Sequence, residues 1–151
     1  MNLCTGKEAA ERVQGLLNAK FQVHAQSVEL TIKNIFALDP VGKVDFGGGE
    51  YQAAGRVEIA RTRVNPEDRY TWWSLGRGVY IAELNETLEL ADNEFALLLP
   101  ESRLLRAGAS HAEVFLRGRV EPIEVLLTVH TARADFKENA RISSLRLFRM
   151  E

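Results

Sequence analysis

The chain has 151 residues, of which 46% are hydrophobic and 26% charged, and its formal net charge is −2. This length predicts one domain, residues 1–151, that buries a core without disulfides or metals. The charge argues against a global basic field that recruits nucleic acid. The single cysteine, Cys4, excludes a disulfide within the chain and fits a reducing compartment. With no signal pattern, and with apolar runs far below the roughly 20 residues of a membrane span, we expect a cytoplasmic protein.

The first element in the chain is a predicted helix. Thr5-Gly-Lys-Glu8 matches a capping box, in which Thr5 caps a backbone N–H and Glu8 reaches back. Apolar residues at helical spacing follow, namely Ala9, Ala10, Val13, Leu16 and Leu17. Gly15 weakens helix propensity near the end of this pattern. We therefore predict a helix from Gly6 to Asn18.

The rest of the chain carries short β-type segments. They are Val28–Ile32, Ile35–Leu38, Val57–Val64, Val79–Leu84, Thr87–Leu90, Phe95–Leu99, Glu113–Arg117, Ile123–His130 and Ile142–Met150. Turn or loop residues separate several of them, including Gly47-Gly-Gly49 and Asn65–Asp68. Many short strands at close spacing predict a mainly β fold of the sandwich, barrel or jelly-roll type. The aromatic cluster Tyr70-Thr-Trp-Trp73 favours packing in a core or an interface over a base-stacking platform.

The stretch Glu94–Ser110 predicts a buried strand that stops at Pro100, a polar turn and a short helix that ends at Gly108. Such a turn can hold anions, because the first N–H groups of a helix point outward unpaired. Arginines are frequent from here onward and suit phosphate: Arg103, Arg106, Arg117, Arg119, Arg141, Arg146 and Arg149. Interleaved glutamates leave a salt-bridged surface or a subunit interface as the alternative interpretation.

Other common sites have little support in the sequence. The three histidines, His24, His111 and His130, are scattered without ligand spacing, so no metal site is predicted. Ser102, His111 and Asp135 offer the residue types of a catalytic triad, but no pattern relates them. The glycine-rich phosphate loops GxxxxGK[ST] and GxGxxG are absent.

Taken in order, the segments resemble the dUTPase/dCTP deaminase superfamily, most closely its archaeal-type dUTPase branch. The matching stretches are Gly6–Arg12, Gln22–Ile32 with the first motif, Lys43–Gly47, Gly78–Glu86, Leu98–Gly108 with the second, Glu113–Arg119 with the third, and Ala140–Leu145 with the fourth. The resemblance implies a jelly-roll-like, distorted β-barrel with a short N-terminal helix and one short helix after Pro100. It also implies a homotrimer with sites at subunit interfaces, in which a carboxylate-positioned water attacks a nucleotide triphosphate held with Mg²⁺.

The first two motifs depart from the family pattern at functional positions. Glu29 stands where the first motif has aspartate, which moves the carboxylate out by one methylene. The second motif, normally Arg-Ser-Ser, reads Glu101-Ser102-Arg103 here. Ser102 is kept and Arg103 is a candidate replacement cation, but Glu101 converts attraction for phosphate into repulsion.

The third and fourth motifs depart as well. Glu113 and Leu116 stand where the third motif has its catalytic aspartate and a tyrosine under the deoxyribose. In the fourth motif Arg141 is kept, whereas Ser144 replaces glutamine. The deaminases of the family carry a glutamate in the strand after the third motif. Leucines lie there in Glu124–His130, and Glu121 or Glu124 would need a shifted register.

Three hypotheses follow from this pattern. The first is a dUTPase-like, catalytically impaired paralogue with a structural, regulatory or ligand-binding role. The second is an active deoxynucleotide triphosphate hydrolase with a rearranged site. It would use Glu29 or Glu113 to orient water, Ser102 with Arg103 or Arg141 for phosphate, and Mg²⁺ for charge. The third is a partner-binding module in which the aromatic cluster is a surface hot spot.

Overall fold

The structure is a computed structural model that describes residues 1–151. It contains three short helices and twelve strands. The helices are α1 (Gly6–Ala10), α2 (Ala19–Gln22) and α3 (Ser102–Arg106). The strands are β1 (Asn2–Leu3), β2 (Val13–Gln14), β3 (Val28–Leu38), β4 (Arg56–Glu58), β5 (Trp72–Leu84), β6 (Thr87–Glu89), β7 (Glu94–Pro100), β8 (Ala109–His111), β9 (Val114–Leu116), β10 (Arg119–Val120), β11 (Glu124–Lys137) and β12 (Arg141–Arg149).

The strands form one large and one small antiparallel sheet. The large sheet has the order β8-β11-β5-β3-β12-β7-β9, with β1 beside β12 and β4 beside β3, and it curls into a half-barrel. The small sheet has the order β10-β6-β2. This confirms the predicted mainly β, jelly-roll-like architecture. Two predicted strands are joined in β3, and a register shift between Ile32 and Asn34 marks the junction.

The N-terminal helix is shorter than its apolar spacing predicts. The capping box is confirmed, because the Thr5 hydroxyl accepts from the Glu8 N–H at 3.2 Å and the Glu8 carboxylate accepts from the Thr5 N–H at 2.7 Å. The helix ends at Ala10, however, so its predicted continuation to Asn18 is wrong. The next residues form β2, which pairs with β6, and this non-local pairing overrides local helix propensity. None of the helices is long and apolar enough to span a membrane.

The helix predicted after Pro100 is confirmed as α3, and a glycine ends it. Gly108 has φ +87°, a conformation that favours glycine. A side chain there would also lie 2.2 Å from Cγ2 of Thr131.

The aromatic cluster is divided between the core and the surface. Trp73 is 1% exposed, and its indole N–H donates to the Ile59 carbonyl at 3.0 Å. Trp72 is half-buried and Tyr70 is exposed. Trp73 therefore packs in the core and cannot anchor a partner, which leaves Trp72 and Tyr70 as the aromatic residues of that surface.

A buried carboxylate joins the N-terminal segment to the large sheet. Glu94 at the start of β7 accepts from Nε and Nη2 of Arg12 at 2.7 and 3.0 Å, and from Nη2 of Arg149 at 3.0 Å. The Ala91 N–H donates to the same group at 3.0 Å. The hydrogen bonds from Arg12, with those from Ala91 and Arg149, lower the pKa of Glu94 to about 2 although burial opposes the shift.

Replacing this carboxylate by an amide (Glu94→Gln) is expected to destabilise the protein at pH 7. A pKa shift from 4.5 to about 2 corresponds to about 3 kcal/mol of unfolding free energy. A lowered folded-state pKa stabilises the fold above the unfolded pKa near 4.5, and the stabilisation is lost as the pH falls toward 2. Urea unfolding should therefore show the difference from wild type reduced to about half at pH 3.

Glu89→Gln, at an exposed position of β6, is the matched control and should change the unfolding free energy at either pH by less than about 0.5 kcal/mol. A Glu94→Gln difference of equal size at both pH values would contradict the assignment.

Candidate functional site

A polar cleft of about 390 Å³ opens between β3, β12 and the turn from β7 into α3. Its lining residues are His24, Ser27, Glu29, Leu99, Pro100, Glu101, Ser102, Ser144 and Arg146. Three of the residues predicted for a site, Glu29, Ser102 and Ser144, therefore line the same cleft.

Strand register brings these residues together. Ser144 on β12 lies opposite Glu29 on β3 and, on its other side, opposite Leu99 on β7. The Glu101 N–H, just after β7, donates to the carbonyl of Ile142 on β12 at 2.8 Å. Three segments that are distant in the sequence thus meet because β12 lies between β3 and β7.

Glu29 is buried and already compensated within the chain. It is 4% exposed, and Oε1 accepts from Nη1 of Arg141 at 3.1 Å while Oε2 accepts from Nη2 of Arg103 at 3.4 Å. The His24 ring also contacts Oε1. Arg103 and Arg141, both predicted to bind phosphate, are absent from the cleft lining and line a neighbouring hollow of about 530 Å³ with Trp72. Their contacts with Glu29 show that these predicted phosphate ligands neutralise the predicted water-positioning carboxylate.

Glu101 presents an uncompensated carboxylate to the cleft. It is the residue before the first turn of α3, yet its side chain caps no helix N–H and forms no ion pair. The side chain is half-buried beside Ser102. The acidic group is therefore available to a ligand at the turn where the second motif normally supplies a cation.

Arg146 is a cleft residue that belongs to the group of arginines suited to phosphate, but no family motif marks it. It is half-buried on β12, where its backbone pairs with Leu97, and its guanidinium makes no ion pair or hydrogen bond within the chain. It follows Ser144 by two residues, so both side chains lie on the same face of the strand. This alternation is the sequence signal that distinguishes it from the other arginines of that group.

The predicted residues of the third motif lie outside the cleft of this chain. Glu113 is exposed just before β9, and Leu116 is 9% exposed and packs in the core. Strand β9 pairs with β7, with Val114 opposite Leu98. Within one chain, the residues of this motif therefore form the edge strand of the sheet and part of the core, and they do not line the cleft.

The residues of the hypothetical triad are not assembled. Nδ1 of His111 donates to the Ala112 carbonyl at 2.9 Å, so its Nε2 accepts from the Ser143 hydroxyl at 2.8 Å in the neutral ring. Burial lowers the pKa of His111, which favours that neutral form. Asp135 instead pairs with Arg133. No group of three or more His, Cys, Asp or Glu side chains is arranged to hold a metal ion.

A second buried carboxylate fixes the strand that carries Glu29. Glu86 is fully buried and accepts from the Thr31 N–H at 2.8 Å, the Thr31 hydroxyl at 2.7 Å and Nε2 of Gln22 at 2.8 Å. Burial raises the pKa of Glu86, and these hydrogen bonds oppose the shift. Nε2 of Gln22 also donates to the Glu29 carbonyl at 2.9 Å. Gln22 therefore connects α2 to both acidic residues.

The other end of the Gln22 amide holds the segment before α2. Its Oε1 accepts from the N–H groups of Leu17 and Asn18, both at 2.8 Å. Both ends of the Gln22 amide thus form hydrogen bonds within the protein. The position of this side chain therefore fixes where α2 and the neighbouring His24 lie relative to the cleft.

The chain is similar in sequence and in fold to known proteins. No family model matches the chain. A probable deoxyuridine 5'-triphosphate nucleotidohydrolase of Methanosarcina acetivorans is 30% identical over a 137-residue alignment that covers 88% of this chain and 75% of that protein. The chain belongs to the dUTPase/dCTP deaminase superfamily.

Further comparisons agree with this membership. A protein of the same description from Archaeoglobus fulgidus is 27% identical over 158 residues, covering 99% of this chain and 89% of the relative. Among solved structures, 2'-deoxycytidine 5'-triphosphate deaminase from Agrobacterium tumefaciens matches with a TM-score of 0.66 and 18% identity. That match covers 96% of the present chain and 47% of the deaminase chain. It shows that the two share a fold.

Replacing Gln22 by methionine (Gln22→Met) tests the network behind the cleft. The variant keeps the side-chain length but removes four hydrogen bonds, one of them to a buried carboxylate. We expect the unfolding free energy to fall by about 4 kcal/mol or more, because each of the four lost bonds costs on the order of 1 kcal/mol and the bond to a charged group costs more. Urea unfolding at pH 7 provides the measurement.

Gln52→Met is the control, since that side chain is exposed and makes no hydrogen bond. Equal stability of the two methionine variants would show that Gln22 does not hold this region.

Proposed function

We propose that this chain is a dUTPase-like protein that has lost efficient dUTP hydrolysis and acts as a ligand-binding, regulatory or structural protein. It would form one domain over residues 1–151 and assemble as a homotrimer, as the resemblance implies. The descriptions of its relatives support deoxyuridine nucleotides as the first ligand class to examine. The buried free thiol of Cys4 fits a reducing, cytoplasmic location.

The observation that carries the proposal is the pairing of Glu29 with Arg141 and Arg103. A carboxylate that positions a water uses an acceptor site on one of its oxygens, and both oxygens of Glu29 already accept from a guanidinium, which leaves fewer sites for a water. The pair with Arg103 is the weaker one, because that side chain is 60% exposed and solvent screens it to about 1 kcal/mol or less, whereas Arg141 is the less exposed partner. A substrate that needs Glu29 to hold a water would have to compete with these guanidinium groups, and that competition reduces its binding energy.

Glu101 adds a second obstacle to triphosphate binding. Its carboxylate lines the cleft beside Ser102, where the second motif normally provides a cation. A triphosphate at this turn would meet a like charge, and no ion pair within the chain neutralises it. Repulsion and the occupied Glu29 therefore act in the same direction.

The alternative is an active deoxynucleotide triphosphate hydrolase with a rearranged site. The joint lining of one cleft by Glu29, Ser102 and Ser144 favours it. Mg²⁺ usually keeps several waters and is bound through substrate phosphates and one or two carboxylates, and Glu101 is the carboxylate of the cleft that has no ion pair. Glu29 or Glu113 would then orient the water.

The proposal predicts no release of pyrophosphate from dUTP by the wild-type protein with Mg²⁺, beyond a protein-free blank. Isothermal titration with a non-hydrolysable dUTP analogue should give a Kd weaker than about 1 mM. A known dUTPase in the same assays is the positive control. Micromolar binding together with pyrophosphate release that is abolished in Glu29→Gln would contradict the proposal and support the active hydrolase.

A further inference from the structure

The cleft contains two charged side chains without an ion-pair partner in the chain, one positive and one negative. Among its charged lining residues, Glu29 is paired with Arg141 and Arg103 and contacts His24. Glu101 and Arg146 remain, and neither forms an ion pair with any residue of the chain. A ligand in this space therefore meets one guanidinium and one carboxylate, rather than a cationic pocket.

A single guanidinium can hold one phosphate or carboxylate group through two parallel hydrogen bonds. Arg146 is suited to this role, because it is half-buried, has no other partner and lies on the same strand face as Ser144. The hydroxyl groups of Ser102 and Ser144 add donors nearby. The volume of about 390 Å³ is that of a small-molecule site.

The carboxylate of Glu101 sets the second requirement. It repels each additional negative charge on a ligand, and it accepts a hydrogen bond from an N–H or an ammonium group. A nucleobase edge or an amine can supply such a donor, whereas a chain of phosphates cannot.

We propose that Arg146 is the anion-binding residue of this cleft and Glu101 its selectivity residue. Together they select a small ligand with one phosphate or carboxylate group and one N–H donor over a nucleoside triphosphate. This inference rests on the proposed function, since it names the ligand class of the same site. It places the cation of the cleft on β12 instead of on the turn before α3.

Titration with dUMP, dUDP and dUTP in EDTA tests this charge selectivity. EDTA removes divalent ions, so the series measures binding without hydrolysis. Wild-type protein should bind dUMP most tightly, and its affinity should fall with each added phosphate. Arg146→Gln should weaken dUMP binding about tenfold or more, which corresponds to about 1.4 kcal/mol, while Arg146→Lys should recover part of it.

Glu101→Gln should change the preference between dUMP and dUTP without abolishing nucleotide binding. With the repelling charge removed, the ratio of dUTP to dUMP affinity should rise about tenfold relative to wild type. Arg63→Gln, which removes an exposed arginine outside the cleft, is the matched control and should leave all three affinities unchanged. Thermal unfolding of each variant verifies that it is folded.

Three results would overturn the inference: no binding of any of the three nucleotides by wild-type protein, affinity that rises with phosphate number, or dUMP binding by folded Arg146→Gln equal to wild type. Failure of the proposed function is a separate result. It would appear as pyrophosphate release from dUTP with Mg²⁺, whatever the order of affinities in EDTA.

Discussion

The buried carboxylate of Glu86 is the constraint on which the geometry of the cleft depends. It has no cationic partner, so its three donors, the N–H and hydroxyl of Thr31 and the amide of Gln22, must stay in place to offset the cost of burying it. Thr31 lies in β3, between β5 and β12 of the large sheet. By fixing β3 against α2, Glu86 determines where Glu29, two residues before Thr31, meets the rest of the site.

Three buried glutamates of this protein show three ways to compensate a carboxylate. Glu86 relies on neutral donors, and Glu94 relies on Arg12 and Arg149, which join the chain's first segment to its last strand. Glu29 differs because one of its partners, Arg103, has a side chain that is 60% exposed. Arg12 and Arg149 are 31% and 37% exposed, so the Arg103 contact is the most exposed of these ion pairs, and it lies beside the cleft.

Local signals in the sequence identified those parts of the structure that local forces determine. Features that depend on residues close together in the sequence were predictable. They include the capping box at Thr5, the glycine that ends α3 and most of the strands. The length of α1 was not predictable, because Val13 and its neighbour join a sheet through residues far along the chain. The place of Arg146 in the cleft was not predictable for the same reason, since it follows from the register of β12 between β3 and β7. Motif order thus predicts the family, while long-range pairing decides which side chains share a site.

The fold tolerates a reversed charge at the second motif because the backbone of Glu101, and not its side chain, supports the structure. Its N–H donates to Ile142 at 2.8 Å, and its carbonyl accepts from the N–H groups of Leu104 and Leu105 at 3.0 and 3.3 Å. These bonds fix the turn between β7 and α3 whatever the side chain is, and the side chain itself makes none. A substitution there can abolish attraction for phosphate without a folding penalty. The strand pattern and the glycine that define the motif are held by packing, so they persist after the charge has changed. Resemblance in such a motif is therefore evidence for the fold, and the unpaired charges around it are the better guide to what the cleft can bind.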